Sequence, residues 1–204
     1  MEIINQWKRI ASDYDSIVKK KPNKVEDVVF SVMTGYITKN SRVLDYGCGN
    51  GKYVFEISKK AEVIGYDPIC EMVKLASSNY PDIKFTDSLV GLSNFDFIMA
   101  KMVFMFEPNI TQTYQKLFGL LKPSGRLIAS VTHPEKYSSL EKEISGGLTY
   151  VKDDIASLRH VVFIHRQKAE YLLPAESVGF KLITEKDVVN DNSKRWVFVL
   201  ERPG

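Results

Sequence analysis

A chain of 204 residues, 44% hydrophobic and 26% charged, has the make-up of a folded globular protein, long enough to bury about 70% of its unfolded surface without a covalent staple. Its 28 Lys and Arg against 25 Asp and Glu leave a net charge of +3, which argues against a nucleic-acid partner, and two cysteines, Cys48 and Cys70, exclude a four-thiolate zinc site. No signal-peptide core opens the sequence and no apolar run approaches the ~20 residues of a membrane span, so the expected setting is cytoplasmic, with no membrane partner.

Ile3, Trp7, Ile10, Ala11, Tyr14, Ile17 and Val18 form a helical stripe over 3–18. A basic turn, Lys19-Lys20-Lys21-Pro22, follows. Asn23 then caps a second helix carrying Val25, Val28, Val29, Val32, Met33 and Tyr36. Beyond residue 40 short apolar runs alternate with helical patterns. Strands are expected at 42–46, 62–66, 83–86, 95–100 and 126–131, and helices near 51–60, 69–79 and 109–121. This alternation predicts an α/β fold, a parallel sheet covered on both faces. Lys122-Pro123-Ser124-Gly125 is a turn before the fifth strand. Residues 133–166 break the rhythm with a Gly146-Gly147 turn and an apolar run at 161–164, and read as an inserted hairpin or lid. A helix at 168–178 capped by Gly179, a strand at 180–185 and a strand at 195–201 close the chain. The short loop 190–193 makes these last strands an antiparallel hairpin. The expected organisation is one domain over 1–204: a helical cap (1–39), an α/β core (40–132 and 167–204) and a substrate-side insertion (133–166).

The segment Asp45-Tyr46-Gly47-Cys48-Gly49-Asn50-Gly51 carries the chemistry. A strand enters a glycine loop and a helix leaves it, so unpaired N–H groups face whatever the loop holds. Asp67 ends the next strand about 20 residues after Asp45, the separation at which an acid meets the hydroxyls of a ribose. Dinucleotide loops read G-x-G-x-x-G, but here the third position is Lys52. An acid two residues before Gly47 would repel a pyrophosphate and accept from an ammonium. The loop therefore suits a nucleoside with an amino-acid tail.

These residues resemble motif I of the class I, Rossmann-like S-adenosylmethionine-dependent methyltransferases. Ile64-Gly65-Tyr66-Asp67-Pro68 resembles their second motif, and Phe85-Thr86-Asp87-Ser88-Leu89 the segment beside the adenine. Phe95-Asp96-Phe97-Ile98 is similar to their fourth strand, and Leu120–Leu127 to the turn before the fifth. The resemblance implies a doubly wound, seven-stranded, mostly parallel sheet with the last strand antiparallel. It implies S-adenosylmethionine as cofactor, leaving S-adenosylhomocysteine as product. Asp45, Gly47 and Gly49 would face the methionine moiety, with Cys48 as a small side chain inside the loop. Asp67 and Pro68 would sit at the ribose, with Ile69 against the adenine. Asp87 and the Ser88 N–H would meet the adenine edge beside Leu89, and Tyr14 would fold over the cofactor. The family's acidic-Leu-Pro-Phe after the adenine acid is replaced by Ser88-Leu89-Val90-Gly91-Leu92.

Methyl transfer needs alignment, exclusion of water and, for some nucleophiles, a base. His133, just past the fifth strand, is the first candidate base, and His165 with Arg166, before the last helix, a second. His160 reads as a surface residue. Lys101, Tyr137, Tyr150 and Arg166 are the expected substrate-side groups, and no metal is expected. The expected acceptor is an O or N nucleophile of a small molecule. The rivals are a tRNA or RNA methyltransferase using the basic segment 19–24, and a non-catalytic cofactor-binding partner protein. Monomer and homodimer are both compatible with the sequence.

Overall fold

A computed structural model describes residues 2–20, 24–137, 142–155, 158–190 and 193–204. Asn23, the tip of the basic turn and the centre of the 190–193 loop lie outside the described residues. Two helices, α1 (Glu2–Lys20) and α2 (Lys24–Thr34), precede β1 (Arg42–Tyr46), α3 (Lys52–Ser58), β2 (Glu62–Tyr66), α4 (Cys70–Asn79), β3 (Lys84–Thr86), β4 (Phe95–Lys101), α5 (Ile110–Leu120) and β5 (Leu121–Thr132). Three strands then form a separate sheet: β6 (Lys142–Ser145), β7 (Leu148–Ile155) and β8 (Leu158–His165). The chain ends with α6 (Lys168–Val178), β9 (Lys181–Asn190) and β10 (Ser193–Glu201).

The main sheet has seven strands in the order β3-β2-β1-β4-β5-β10-β9. Strands β1 to β5 are parallel to one another, and β10 runs antiparallel to both β5 and β9. Strand alternation divides the core. Val43, Val63 and Met99 point to a layer with Val29, Met33, Val54 and Ile57 from α2 and α3. Leu44, Ile64 and Ile98 point to the opposite layer, with Tyr114 and Leu117 of α5 and Tyr171 and Ala175 of α6. Both faces are thus covered, as near-continuous apolar strands require.

The insertion is richer than a hairpin. β6–β7–β8 is an antiparallel sheet turning at Gly146-Gly147, and Val151, Val161 and Phe163 pack with Met105 under Trp7 and Phe106. The turn at 122–125 is a bulge inside β5: the pairing with β4 slips between Phe95 and Phe97. There Ser124 takes φ 61 and donates its N–H to Arg202 O at 2.8 Å. β9 runs five residues past its expected end because its charged tail still pairs with β10 as far as Ser193↔Asn190. Among the described residues no helix is long and apolar enough to cross a membrane.

Candidate active site

β1 delivers the glycine loop to the carboxyl edge of the sheet. The N–H groups of Gly47 and Cys48 both donate to Tyr66 O, at 2.7 and 2.9 Å, tying the loop to the end of β2. Gly47 has φ 81, and a Cβ there would collide with Val103 on the segment after β4. Only glycine satisfies both demands. Met102, beside that contact, holds φ 60 although it is not glycine.

Asp67 closes the loop from the other side. Its Oδ2 accepts from Gly49 N and its Oδ1 from Ile69 N, both at 3.0 Å. Each oxygen keeps a second lone pair for a ligand hydroxyl. Burial pushes the Asp67 carboxyl up to about 6, against the pull of those two N–H groups. Burial pushes Asp45 further, to about 7, with Lys101 pulling down and Asp67 pushing up.

These shifts have a sign. Asp45 holds its proton in the folded chain to a higher pH than in the unfolded one, so its ionisation costs stability as pH rises from about 4 to 7. An ammonium ligand needs the ionised form. We predict that S-adenosylhomocysteine affinity, measured by calorimetry, falls between pH 8 and pH 6, approaching about tenfold per unit below the Asp45 pKa. A flat profile would take the Asp45 charge out of the site.

A cavity of about 1080 Å3 opens from the loop. Gly47, Gly49, Asp67, Pro68 and Ile69 form its floor; Met102, Val103 and Phe106 form one wall. Ile3 and Trp7 of α1 form another, and Lys142, Tyr150 and Lys152 of the inserted sheet close the far side. Helix α1 is tied at both ends of this space. Gln6 donates to Val162 O and accepts from Val162 N, both at 3.0 Å. Asp15 accepts from Asn50 of the glycine loop at 2.8 Å and from Asn79 at 3.3 Å. Between them Trp7 packs edge-on against Tyr14 and Phe106, and the Tyr14 ring lies in van der Waals range of where a Gly49 Cβ would be.

Residues 37–179 match the family described as "Methyltransferase domain". The chain belongs to that methyltransferase family. A 117-residue stretch, 53% of the chain, is 28% identical to the malonyl-[acyl-carrier protein] O-methyltransferase 1 of Coxiella burnetii, covering 40% of that protein. A 106-residue stretch, 48% of the chain, is 29% identical to the trans-aconitate 2-methyltransferase of Rhodopseudomonas palustris, covering 41% of it. The matches thus span less than half the length of these curated relatives. The fold is shared with an S-adenosylmethionine-dependent methyltransferase from Clostridium acetobutylicum, at a TM-score of 0.71 and 14% identity, over 97% of this chain and 99% of that one.

Within this chain the expected site residues divide. Gly47, Gly49, Asp67, Pro68, Ile69 and Tyr150 line the cavity, and Asp45 is buried behind the loop. Cys48 packs against Gly65, and burial drives its thiol far above the usual range, leaving an inert neutral filler. Asp87 is exposed beyond β3. Ser88 spends its N–H on Thr86 Oγ1, at 3.1 Å, and Leu89 packs on the core beneath.

Four predicted side chains are turned elsewhere. Lys101 is buried against Glu26 of α2, over the Tyr53 ring at 4.4 Å, and Arg195 meets the same Glu26 at 2.8 Å. Arg166 donates to three backbone carbonyls, Phe104 at 3.0 Å, Glu107 at 2.6 Å and Pro108 at 3.2 Å, and so braces the wall after β4. His133 sits under the β9–β10 hairpin. Its Nδ1 accepts from Glu135 N at 3.3 Å and its Nε2 lies 3.5 Å from Asp187. His165 is buried at the end of β8 with its Nε2 3.2 Å from Gln167. Burial lowers the pKa of both histidines, and neither lines the cavity. The side chains of Tyr137, His160 and the basic segment 19–24 lie outside the described residues.

Sequence reasoning missed Glu107. It lines the cavity and accepts from Tyr46 Oη at 2.8 Å and Thr113 Oγ1 at 3.1 Å. It also missed Glu26 and Gln6, whose partners lie 75 to 169 residues away in the chain and leave no local pattern.

Proposed function

We propose that this chain transfers the methyl group of S-adenosylmethionine to an O or N nucleophile of a small molecule held in the cavity. One observation carries the reading: the cavity runs without interruption from Gly47, Gly49 and Asp67 to Tyr150 on the inserted sheet. The cofactor fits the floor. Gly47 and Gly49 line it with backbone alone, Asp67 keeps two lone pairs for a ribose, and Ile69 offers an apolar surface for a base. When bound, the cofactor supplies an activated methyl on a good leaving group.

The chain's own residues supply alignment and dryness. Trp7, Met102 and Phe106 exclude water beside the glycine loop, and the inserted sheet covers the acceptor. The names of the two curated relatives, a malonyl-[acyl-carrier protein] O-methyltransferase and a trans-aconitate 2-methyltransferase, support an acceptor whose reacting end is a small organic group. The test is transfer of labelled methyl from S-adenosylmethionine into a cell extract treated with the purified protein. Label is expected in the small-molecule filtrate. Label recovered in RNA instead would overturn the reading.

A further inference from the structure

We infer that the acceptor is a carboxylate, methylated on oxygen to an ester, and that Lys142 and Lys152 of the inserted sheet read its charge. This rests on the proposal that the acceptor occupies the cavity.

The first observation is the missing base. Among the described residues no histidine lines the cavity: His133 is packed under β9–β10 and His165 lies at the end of β8. Two lining carboxylates are already engaged: Asp67 by two backbone N–H groups and Glu107 by two hydroxyls. The third, Glu143, is exposed on β6. A hydroxyl or ammonium acceptor would need a positioned group to take its proton. A carboxylate at neutral pH has no proton to lose.

The second observation is unspent positive charge. Lys52, Lys59, Lys101, Lys122, Lys168 and Lys194 each sit on a carboxylate. Lys116, Lys142 and Lys152 line the cavity away from the glycine loop, and none of them makes an ion pair among the described residues. Lys142 pairs with Val151, the residue before Lys152, so the two side chains leave opposite faces of the β6–β7 ladder; Lys152 shares the face of Tyr150, and Lys142 borders the cavity from the edge strand. Lys101, expected on the substrate side, is engaged by Glu26; the unpaired ammonium groups stand on the inserted sheet and α5 instead. All three are exposed, and an ammonium there favours an anion by charge-assisted hydrogen bonding and steers its approach.

The step balances without a base. A carboxylate oxygen forms the new bond to the methyl carbon, the methyl–sulfur bond breaks, and its electron pair stays on sulfur. The products are a methyl ester and S-adenosylhomocysteine, and no proton changes hands.

The test supplies S-adenosylmethionine with a panel of di- and tricarboxylic acids, primary amines and phenols, and follows S-adenosylhomocysteine release. Turnover is expected with acids, giving a product whose label mild alkali releases as methanol. The Lys142→Gln/Lys152→Gln double variant should raise KM about tenfold, with kcat within about threefold and S-adenosylhomocysteine affinity unchanged. As a readout independent of turnover, citrate should stabilise the S-adenosylhomocysteine complex of the wild type more than sodium chloride of equal ionic strength, and the double variant should lose that difference. Turnover confined to amines or phenols, no turnover with any acid, an alkali-stable product, or an unchanged KM in the variant would each overturn the inference. Label appearing in RNA would bring down the small-molecule reading instead, and failure of S-adenosylhomocysteine to bind would bring down the cofactor site.

Discussion

Replacing Glu26 with alanine is expected to lower the melting temperature by roughly 10 °C. Glu26 is the shared partner of Lys101 and Arg195, whose side chains are only 8% and 9% exposed. Burial raises its carboxyl, but the two cations outweigh burial and hold it below the usual range. Removing the carboxylate leaves two buried cations facing one another. Breaking a buried pair in this way costs about 3–5 kcal/mol, and a chain of this size loses about 2–4 °C per kcal/mol. Glu26→Gln keeps the hydrogen-bonding oxygen without the charge and should fall between. Because the native pKa is depressed, the contribution of this cluster is complete above the unfolded carboxyl pKa and is lost as pH falls through the native one. Thermal melts at neutral pH decide the matter: an alanine variant melting with the wild type would mean that the cluster contributes nothing net.

Asp67→Ala is expected to weaken S-adenosylhomocysteine binding about a hundredfold. The carboxylate faces two ways. Toward the protein it accepts from Gly49 N and Ile69 N, shaping both the glycine loop and the entrance to α4. Toward the cavity it keeps lone pairs for the ribose that we propose it holds. Its removal loses the ligand bonds and leaves two N–H groups to find new partners, and charge-assisted bonds of this kind are worth about 1.5–3 kcal/mol each. Asp67→Asn, which can accept at one oxygen only, should lose less. Calorimetry showing wild-type affinity in the alanine variant would remove Asp67 from the binding site.

Much of the scaffold could be read directly. β1, β2 and α6 have the bounds expected of them, because apolar runs between glycine turns leave few alternatives. The glycine loop was legible for the same reason: its residues are adjacent in the chain. The inserted sheet was only half visible. Its apolar run at 161–164 reads clearly, but Lys152-Asp153-Asp154 inside β7 hides a strand whose register comes from its partners. The functional residues that escaped are those whose meaning is a distant contact. On α2, Glu26 reads as a solvent-facing charge until Lys101 and Arg195 arrive from β4 and β10. Conversely His133 and Lys101 stand at sheet-edge positions that suggest catalysis, yet local partners claim both.

The bond between Gln6 and Val162 has a consequence for how this chain behaves among its own copies. A glutamine amide carries the same donor and acceptor as a peptide unit. At the outer edge of β8 it satisfies one N–H and one C=O that a neighbouring strand would otherwise take. A helix thereby plugs a sheet edge. The opposite edge, β6, is four residues long and carries Lys142 and Glu143. Short, charged or occupied edges are how β-structure avoids pairing between molecules. The inserted sheet can therefore stand off the main fold, over an open cavity, without recruiting a strand from another copy.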